Sequence, residues 1–395
     1  MKKITNLILF LSITSNICSS YLFQAHPKLK RPIVELGHFP SPIYNLPTIA
    51  KQYNLKNFYV KDDGVKCVKY DAIKAELPSG NKIRKLEFLL AHAKENGYKT
   101  VCTVGSAGSN HALATAMCAK QIGLDTILIL DDQPVTSAAV RNLKLMTLFA
   151  KEIKYTKKNV DSEARSLSGT NGYYFIPMGG SDPLGILGFV NAMFELKDQI
   201  NQGILEEPDY IYVTLGTGGT SAGLIVGAEA AGIKSKIISV RINSEPKKKT
   251  EDLLSLINRT RSSIQEIDPC FPCTYKTEDS LTIENSFAGG NNKYAVCTQE
   301  AADAIKYFYQ ETKKSIGFPI KLESTYTGKT LSALFDHANK GLLQNKNVLF
   351  WNTFSNGTFE DLTAEFDSDY ERFKKIPENM IHYLTDDLQS LDQGI

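Results

Sequence analysis

Asp209-Tyr210-Ile211-Tyr212-Val213-Thr214-Leu215-Gly216-Thr217-Gly218-Gly219-Thr220 decides how this chain folds. After Asp209, the six residues from Tyr210 to Leu215 are apolar, aromatic and β-branched, the composition of a buried strand. Glycines crowd the next positions and predict a sharp turn. The small, apolar residues from Ser221 to Ala231 then read as a helix. Working outward, the same alternation recurs. Tyr98 to Val104 reads as a strand, His111 to Gly123 as a helix, and Thr126 to Leu130, Lys236 to Ile242 and Asn347 to Trp351 as further strands. Continuous apolar strands alternating with helices predict an α/β fold, a mostly parallel sheet with helices on both faces. No repeat and no low-complexity linker divides the chain.

The chain has 395 residues, with 45 Lys plus Arg against 43 Asp plus Glu, a net charge of +2. Such near-neutrality gives no electrostatic case for a nucleic-acid partner. The run Lys247 to Lys249 follows a proline and reads as a solvated loop. At the N-terminus, Lys2 and Lys3 precede an apolar stretch from Ile4 to Ile13 and then small polar residues, as in a secretory signal. The stretch is too short to span a bilayer comfortably. The expectation is a leader over residues 1–24, with export to the periplasm or beyond if it is a signal and a cytoplasmic protein otherwise. Cys102 and Cys118 sit in predicted buried elements and read as small apolar residues. Cys270-Phe-Pro-Cys273 lies among turn residues, with no second ligand pair for zinc. It reads as structural or as a disulfide of an exported protein. From about Asp361 the chain is acidic and weakly periodic, the pattern of a terminal helix and a loose tail.

Three segments carry chemistry. Gly216 to Thr220 lies between strand and helix, where glycines let backbone N–H groups crowd round an anion and the helix N-terminus favours negative charge. It is neither a dinucleotide fingerprint nor a Walker loop, since Ser221 stands at the third glycine and no Gly-Lys-Ser/Thr follows. A rival reading takes Gly219-Thr220-Ser221-Ala222-Gly223 as the nucleophile elbow of an α/β-hydrolase. Ser221 would then attack, with His337 or His382 as base and Asp336 or Asp361 orienting it. Gly105 to His111 is a second strand–loop–helix anion site, in which Ser109 or Asn110 can also be a helix cap. In the third, Ser79-Gly80-Asn81 precedes a helix predicted from Lys82 to Gly97, with Ile83, Leu86, Leu89, Leu90 and Ala93 on one face. Lys82 thus stands at a helix start, where the macrodipole disfavours a cation. A lysine whose pKa is lowered is a better nucleophile toward a carbonyl.

Gly80-Asn81-Lys82-x-Arg84-Lys85-Leu86-Glu87, Gly108-Ser109-Asn110-His111 and Gly216-Thr217-Gly218-Gly219-Thr220, in that order, resemble the D-cysteine desulfhydrase and 1-aminocyclopropane-1-carboxylate deaminase family. Further matches lie at Pro177 to Ser181, Gly185 to Asn191, Tyr294, and Tyr326-Thr327-Gly328-Lys329, so the likeness spans roughly Pro40 to Asn356. The resemblance implies a pyridoxal 5′-phosphate (PLP) enzyme of the tryptophan-synthase-β-like fold, with two open, mostly parallel twisted sheets. It further implies a large cofactor-binding domain over residues 35–94 and 186–378, a small domain over 95–185, a tail over 379–395, and usually a homodimer.

Residue by residue, the resemblance makes Lys82 the Schiff-base lysine and puts Asn110 beside the cofactor's 3′-oxygen. Ser109 falls near the substrate carboxylate as a proton-transfer group. Gly216, Thr217, Gly218, Gly219 and Thr220 become the phosphate cup, and Tyr294 and Tyr326 active-site tyrosines. Thr327 falls where the family places its pyridine-nitrogen partner. The family's deaminases carry glutamate there and its desulfhydrases threonine. A hydroxyl leaves the ring a weak electron sink, which suits a thiolate leaving group. The expected reaction is therefore β-elimination from D-cysteine to pyruvate, sulfide and ammonia, with deamination of the cyclopropane amino acid as the alternative and a PLP-binding protein without turnover as another. The chain departs from the pattern in an insertion over Cys67 to Pro78, in Ser79 for a glycine, and in Trp351-Asn352-Thr353-Phe354-Ser355 where many members have His-Thr-Gly-Gly.

Overall fold

The computed structural model describes residues 20–64, 80–243, 246–289, 294–355, 357, 362–363 and 369–393. Among them the strands sort into two sheets. The larger contains β1 (Ile43–Asn45), β2 (Asn57–Asp62), β7 (Tyr210–Leu215), β8 (Lys236–Arg241), β9 (Thr282–Glu284) and β10 (Asn347–Asn352), in the order β1-β2-β10-β7-β8-β9. The smaller holds β3 (Thr100–Ser106), β4 (Asp125–Asp131), β5 (Glu152–Tyr155) and β6 (Tyr174–Ile176), in the order β5-β4-β3-β6. Only β1 runs antiparallel to its neighbour. The α/β class with two mostly parallel sheets is thus what the chain forms. β10 is buried at every position, and β3 and β7 at all but one. Cover on both faces is why these strands read as unbroken apolar runs.

The helices include α1 (Tyr21–Ala25), α2 (Pro47–Gln52), α3 (Ile83–Glu95), α4 (Asn110–Gln121), α5 (Ser137–Phe149), α6 (Val160–Asn171), α7 (Pro183–Asn201), α8 (Gly219–Ala230), α9 (Pro246–Gln265), α10 (Gln299–Ile316) and α11 (Thr327–Asn339), with a short α12 (Tyr370–Phe373) near the C-terminus. The predicted face of α3 is buried against residues of β3, α4 and α5, and the helix ends before Gly97, whose φ is 77°. Glycines let α3, α7 and α8 approach closely. A Cβ on Gly188 would lie 1.9 Å from the Arg84 carbonyl oxygen, and one on Gly223 2.3 Å from Phe189 Cβ. This packing sets the start of α3 beside the start of α8, which is what brings the lysine motif to the glycine-rich turn.

Several expectations are corrected. Lys247 to Lys249 do not form a loop: they lie in the first turn of α9, where Pro246, lacking the N–H that a helix start leaves unpaired, begins the helix. Most of the expected leader, with Cys18, lies outside the described residues, as do the insertion, Cys67, Ser79 and Asp361. Residues 20–24 are integral to the fold, because Leu22 is fully buried and Ser20 Oγ donates to Asn191 Oδ1 at 2.8 Å. Residues 378–393 of the acidic C-terminal stretch are packed rather than loose. Met380 and Tyr383 are buried, and Asp392 is bonded at both carboxylate oxygens. Cys270 and Cys273 are free thiols, so the Cys270–Cys273 disulfide does not form. Burial pushes the Cys273 thiol up to about 12, which leaves it unreactive at neutral pH. Among the described residues no helix is long and apolar enough to cross a membrane.

Candidate active site

The C-terminal ends of β3, β7, β8 and β10 open onto one cleft of about 380 Å³. Ligand crevices in open parallel sheets lie at such strand ends. Beyond β7 the chain turns at Gly218, with φ 91° and ψ −18°, and enters α8 without a side-chain cap. The first N–H groups of α8 therefore point at the cleft with no side chain to accept them. The Pro177–Ser181 segment backs this turn. Ser181 Oγ and Thr217 Oγ1 are 2.7 Å apart, and a Cβ on Gly179 would come within 2.3 Å of Thr217 Oγ1. A lysine lies directly beneath. Lys85 Nζ donates to the Gly179 carbonyl oxygen at 2.9 Å, and a Cβ on Gly219 would stand 2.4 Å from it. Burial, and then the charge of Lys82, hold the Lys85 amine well below its ordinary pKa.

Lys82 lines the same cleft. Its Nζ donates to Asn81 Oδ1 at 3.0 Å, and Asn81 Nδ2 donates to Thr220 Oγ1 at 3.3 Å, so one amide ties the lysine to the glycine-rich turn. Burial draws the Lys82 pKa down to about 8, against the opposing pull of Glu323 and Asp63. Ser109 is the N-cap of α4, its Oγ accepting from the Ala112 N–H at 3.2 Å, so the capping role that the loop allowed is filled. Asn110 Oδ1 accepts from Asn142 Nδ2 at 2.8 Å, which leaves its own amide hydrogens for the cleft.

Opposite these loops, Tyr294 and Tyr326 meet hydroxyl to hydroxyl. Burial raises both pKa values, so both phenols stay protonated at neutral pH. Thr327 is fully buried, and its N–H and hydroxyl both bond to the Glu323 carboxylate, at 2.8 and 3.1 Å. Glu323, rather than Thr327, is the residue among the cleft-lining groups. Its carboxylate accepts the N–H groups of Thr325, Tyr326 and Thr327 and so caps α11, while burial raises its pKa.

Residues 34–353 match the family of pyridoxal-phosphate dependent enzymes. The chain belongs to this family. Two relatives carry the name "Putative 1-aminocyclopropane-1-carboxylate deaminase". The one from Pyrococcus abyssi is 30% identical over 83% of this chain and 94% of its own length, and the one from Thermotoga maritima 31% over 81% and 95%. Among solved structures, an ACC deaminase homologue superimposes with a TM-score of 0.68 at 27% identity, covering 88% of this chain and 99% of its own. A threonine deaminase isoform from Solanum lycopersicum, 17% identical with a TM-score of 0.57 over 88% of this chain and 94% of its own, shares the fold.

A PLP-dependent enzyme needs a phosphate site, an amine and room for a ring with a small amino acid. The cleft supplies an uncapped helix start above a buried lysine, a second lysine of depressed pKa, and a volume within the usual range for small ligands. The hydrolase alternative fails on geometry. Ser221 is fully buried inside α8, with no partner for its Oγ. His337 is spent on Tyr212 and Glu284, Asp336 on Lys340, and His382 on the Asn379 carbonyl. Lys85, Glu323, Asn81 and Asn142 were not singled out from the sequence. Lys85 had a signal, since it lies three residues from Lys82 and hence on the same side of one helix. Glu323, four residues before a helix start, carried the weaker signal of an acidic cap.

Proposed function

We propose that this chain deaminates a small α-amino acid to a 2-oxo acid and ammonia at the Lys82 cleft. The observation that carries the reading is a half-buried lysine with its pKa drawn down to about 8, set between an uncapped helix start and a neutral tyrosine pair. Bound PLP would supply an electron-withdrawing ring joined to the substrate nitrogen. Lys82 would anchor the cofactor and, once released, carry a proton, taken from Cα of an amino acid that has one there or from a ring methylene of the cyclopropane acid, whose Cα bears none. The N–H groups of Gly216 to Thr220, with Lys85, would hold the phosphate. Asn110, its oxygen engaged by Asn142, would donate to the ring's 3′-oxygen. Because the Ala112 N–H takes a lone pair of Ser109 Oγ, the serine hydrogen is left for the substrate, to bind its carboxylate and to serve in proton transfer. Tyr294 and Tyr326, both protonated, would hold and deliver a proton to the departing carbon or sulfur.

On substrate, two considerations reorder the expectations. A weak electron sink requires a lone hydroxyl beside the ring nitrogen, but the Thr327 hydroxyl is turned to Glu323, whose carboxylate shares the cleft wall. The relatives' names also point to the cyclopropane amino acid. We therefore place ring-opening deamination of 1-aminocyclopropane-1-carboxylate, giving 2-oxobutyrate, first. Elimination from D-cysteine is second, favoured by the threonine in the sequence motif. Purified protein loaded with PLP and offered the cyclopropane substrate, D-cysteine and L-cysteine is expected to release 2-oxobutyrate from the first. Sulfide and pyruvate from D-cysteine with no 2-oxobutyrate would reverse the order. No 2-oxo acid from a wider panel of D- and L-amino acids would sink the deaminase reading.

Ser109→Ala should keep the cofactor's visible absorbance while kcat falls roughly 10²–10⁴-fold. Loss of the cap should cost about 1 kcal/mol as well. A variant with a lowered melting temperature and near-normal kcat would reduce Ser109 to its capping role.

A further inference from the structure

Residues 378–393 lie beyond the family match and touch both walls of the cleft. Three side chains make the connection. Tyr383, buried, donates its hydroxyl to the Gln133 carbonyl and accepts the Gln133 N–H, both at 2.7 Å. Gln133 Oε1 in turn accepts the Gly108 N–H at 2.9 Å, inside the Gly105–His111 loop. Gln389 takes the Cys297 N–H at 3.2 Å and donates to the Ala295 carbonyl at 2.9 Å, on either side of the backbone that leaves Tyr294. Its backbone N–H reaches the Val135 carbonyl at 3.4 Å, on the small-sheet side. Asp392, 3% exposed, accepts the Ser137 N–H with one oxygen and the Ser324 hydroxyl with the other, both at 2.6 Å. Ser137 opens α5, which carries Asn142 to Asn110, and Ser324 lies in the turn that presents Tyr326.

We propose that residues 378–393 are a positioning clamp, holding the Ser109–Asn110 loop of one wall at a set distance from the Tyr294–Tyr326 pair of the other. Asp392, Gln389 and Tyr383 act through these residues and touch neither substrate nor cofactor. The small-sheet end is gripped at Gln133, Val135 and Ser137, the tyrosine end at Ala295, Cys297 and Ser324. A carboxylate serves the Asp392 position because it accepts on both oxygens at once, and one partner is a helix N-terminal N–H that favours negative charge. The idea that this spacing governs turnover rests on the proposed roles of the four site residues; the clamp itself does not.

The test is Asp392→Ala in the PLP-loaded full chain, followed by hydrogen exchange and by kinetics with 1-aminocyclopropane-1-carboxylate and D-cysteine as probes. Exchange should rise together in peptides covering 133–139 and 294–298, on opposite walls. The cofactor's absorbance should stay, KM should change little, and kcat should fall roughly 10–100-fold, since small misplacements of reacting groups cost that much. Faster exchange on one wall only would overturn the clamp. So would a variant that merely melts earlier with parental kcat. If Asp392→Ala does not fold, Gln389→Ala, at a half-buried position, should loosen 294–298 and lower kcat less; parental exchange there would overturn the proposal. If the parent turns over neither probe, the proposed function has failed and exchange alone decides the clamp.

Discussion

Lys82→Ala is expected to abolish turnover, by about 10⁴-fold or more, because anchor and proton carrier are lost together. The variant should lack the bond to protein that borohydride reduces, and in the parent that bond should map to the peptide containing Lys82. A reducible bond surviving in Lys82→Ala would transfer the role to another lysine, Lys85 first. The cofactor-free protein offers a second readout. Lys82 has a native pKa of about 8, below the unfolded value of about 10.4. Below pH 8 the residue is charged in both states, and the native state bears the full cost of burying it. Between pH 8 and about 10.4 the unfolded chain binds more protons, so native stability rises with pH. Lys82→Ala should therefore be the more stable apoprotein at pH 7, with the gap closing over that window. A gap independent of pH would mean that the amine titrates normally.

Arg84→Ala is expected to be the most destabilising single change near the site. The guanidinium is 1% exposed and bonds Asp63 at 2.9 and 2.7 Å, Glu195 at 2.9 and 3.0 Å and Ser41 at 2.9 Å. Trp351 Nε1 adds a bond to Asp63 at 2.8 Å, and Lys61 pairs with Glu195, so the cluster fastens α3 and α7 to β2 and β10. Burial opposes the charge on Arg84, yet Asp63 and Glu195 hold its pKa above the ordinary value. Burial likewise works against Glu195, yet Arg84 and Lys61 bring it down to about 2. Removing the arginine takes from Asp63 its bidentate cation, leaving the Trp351 N–H, and leaves Glu195 to Lys61 and Ser41, a loss of about 3–5 kcal/mol from a total that is typically about 5–15. Denaturant melts at pH 7 should show it. The sign for Glu195 also predicts that the parent loses stability as pH falls from about 4.3 toward 2, where the unfolded carboxylate protonates first. An Arg84→Ala protein within 1 kcal/mol of the parent would mean that the cluster is not coupled to folding. Since Arg84 lies two residues after Lys82, the same variant should weaken cofactor retention.

Much of this was legible in local runs of sequence. β3, β7 and β10 announced themselves because cover on both faces makes a parallel strand continuously apolar. Gly216 to Thr220 did so because only glycines let a chain turn tightly enough to aim N–H groups at an anion. Lys82 stood out as a cation at a helix start that disfavours one. The reading failed where a residue's meaning depends on what packs against it. Lys247 to Lys249 looked like a loop because local charge says nothing of Pro246 opening a long helix. The acidic C-terminus looked loose because Asp392 has value only where Ser137 and Ser324, distant in sequence, converge on it. Thr327 matched a sequence motif, but tertiary packing turns its hydroxyl to Glu323 and leaves the carboxylate on the cleft wall. Lys85 lies beneath the glycine-rich turn only because close helix packing carries the start of α8 over it. Local periodicity and backbone chemistry act over a few residues and can be read from order alone. The pairing of buried polar groups is a long-range matter, because each needs a partner that only the folded chain brings within hydrogen-bonding distance.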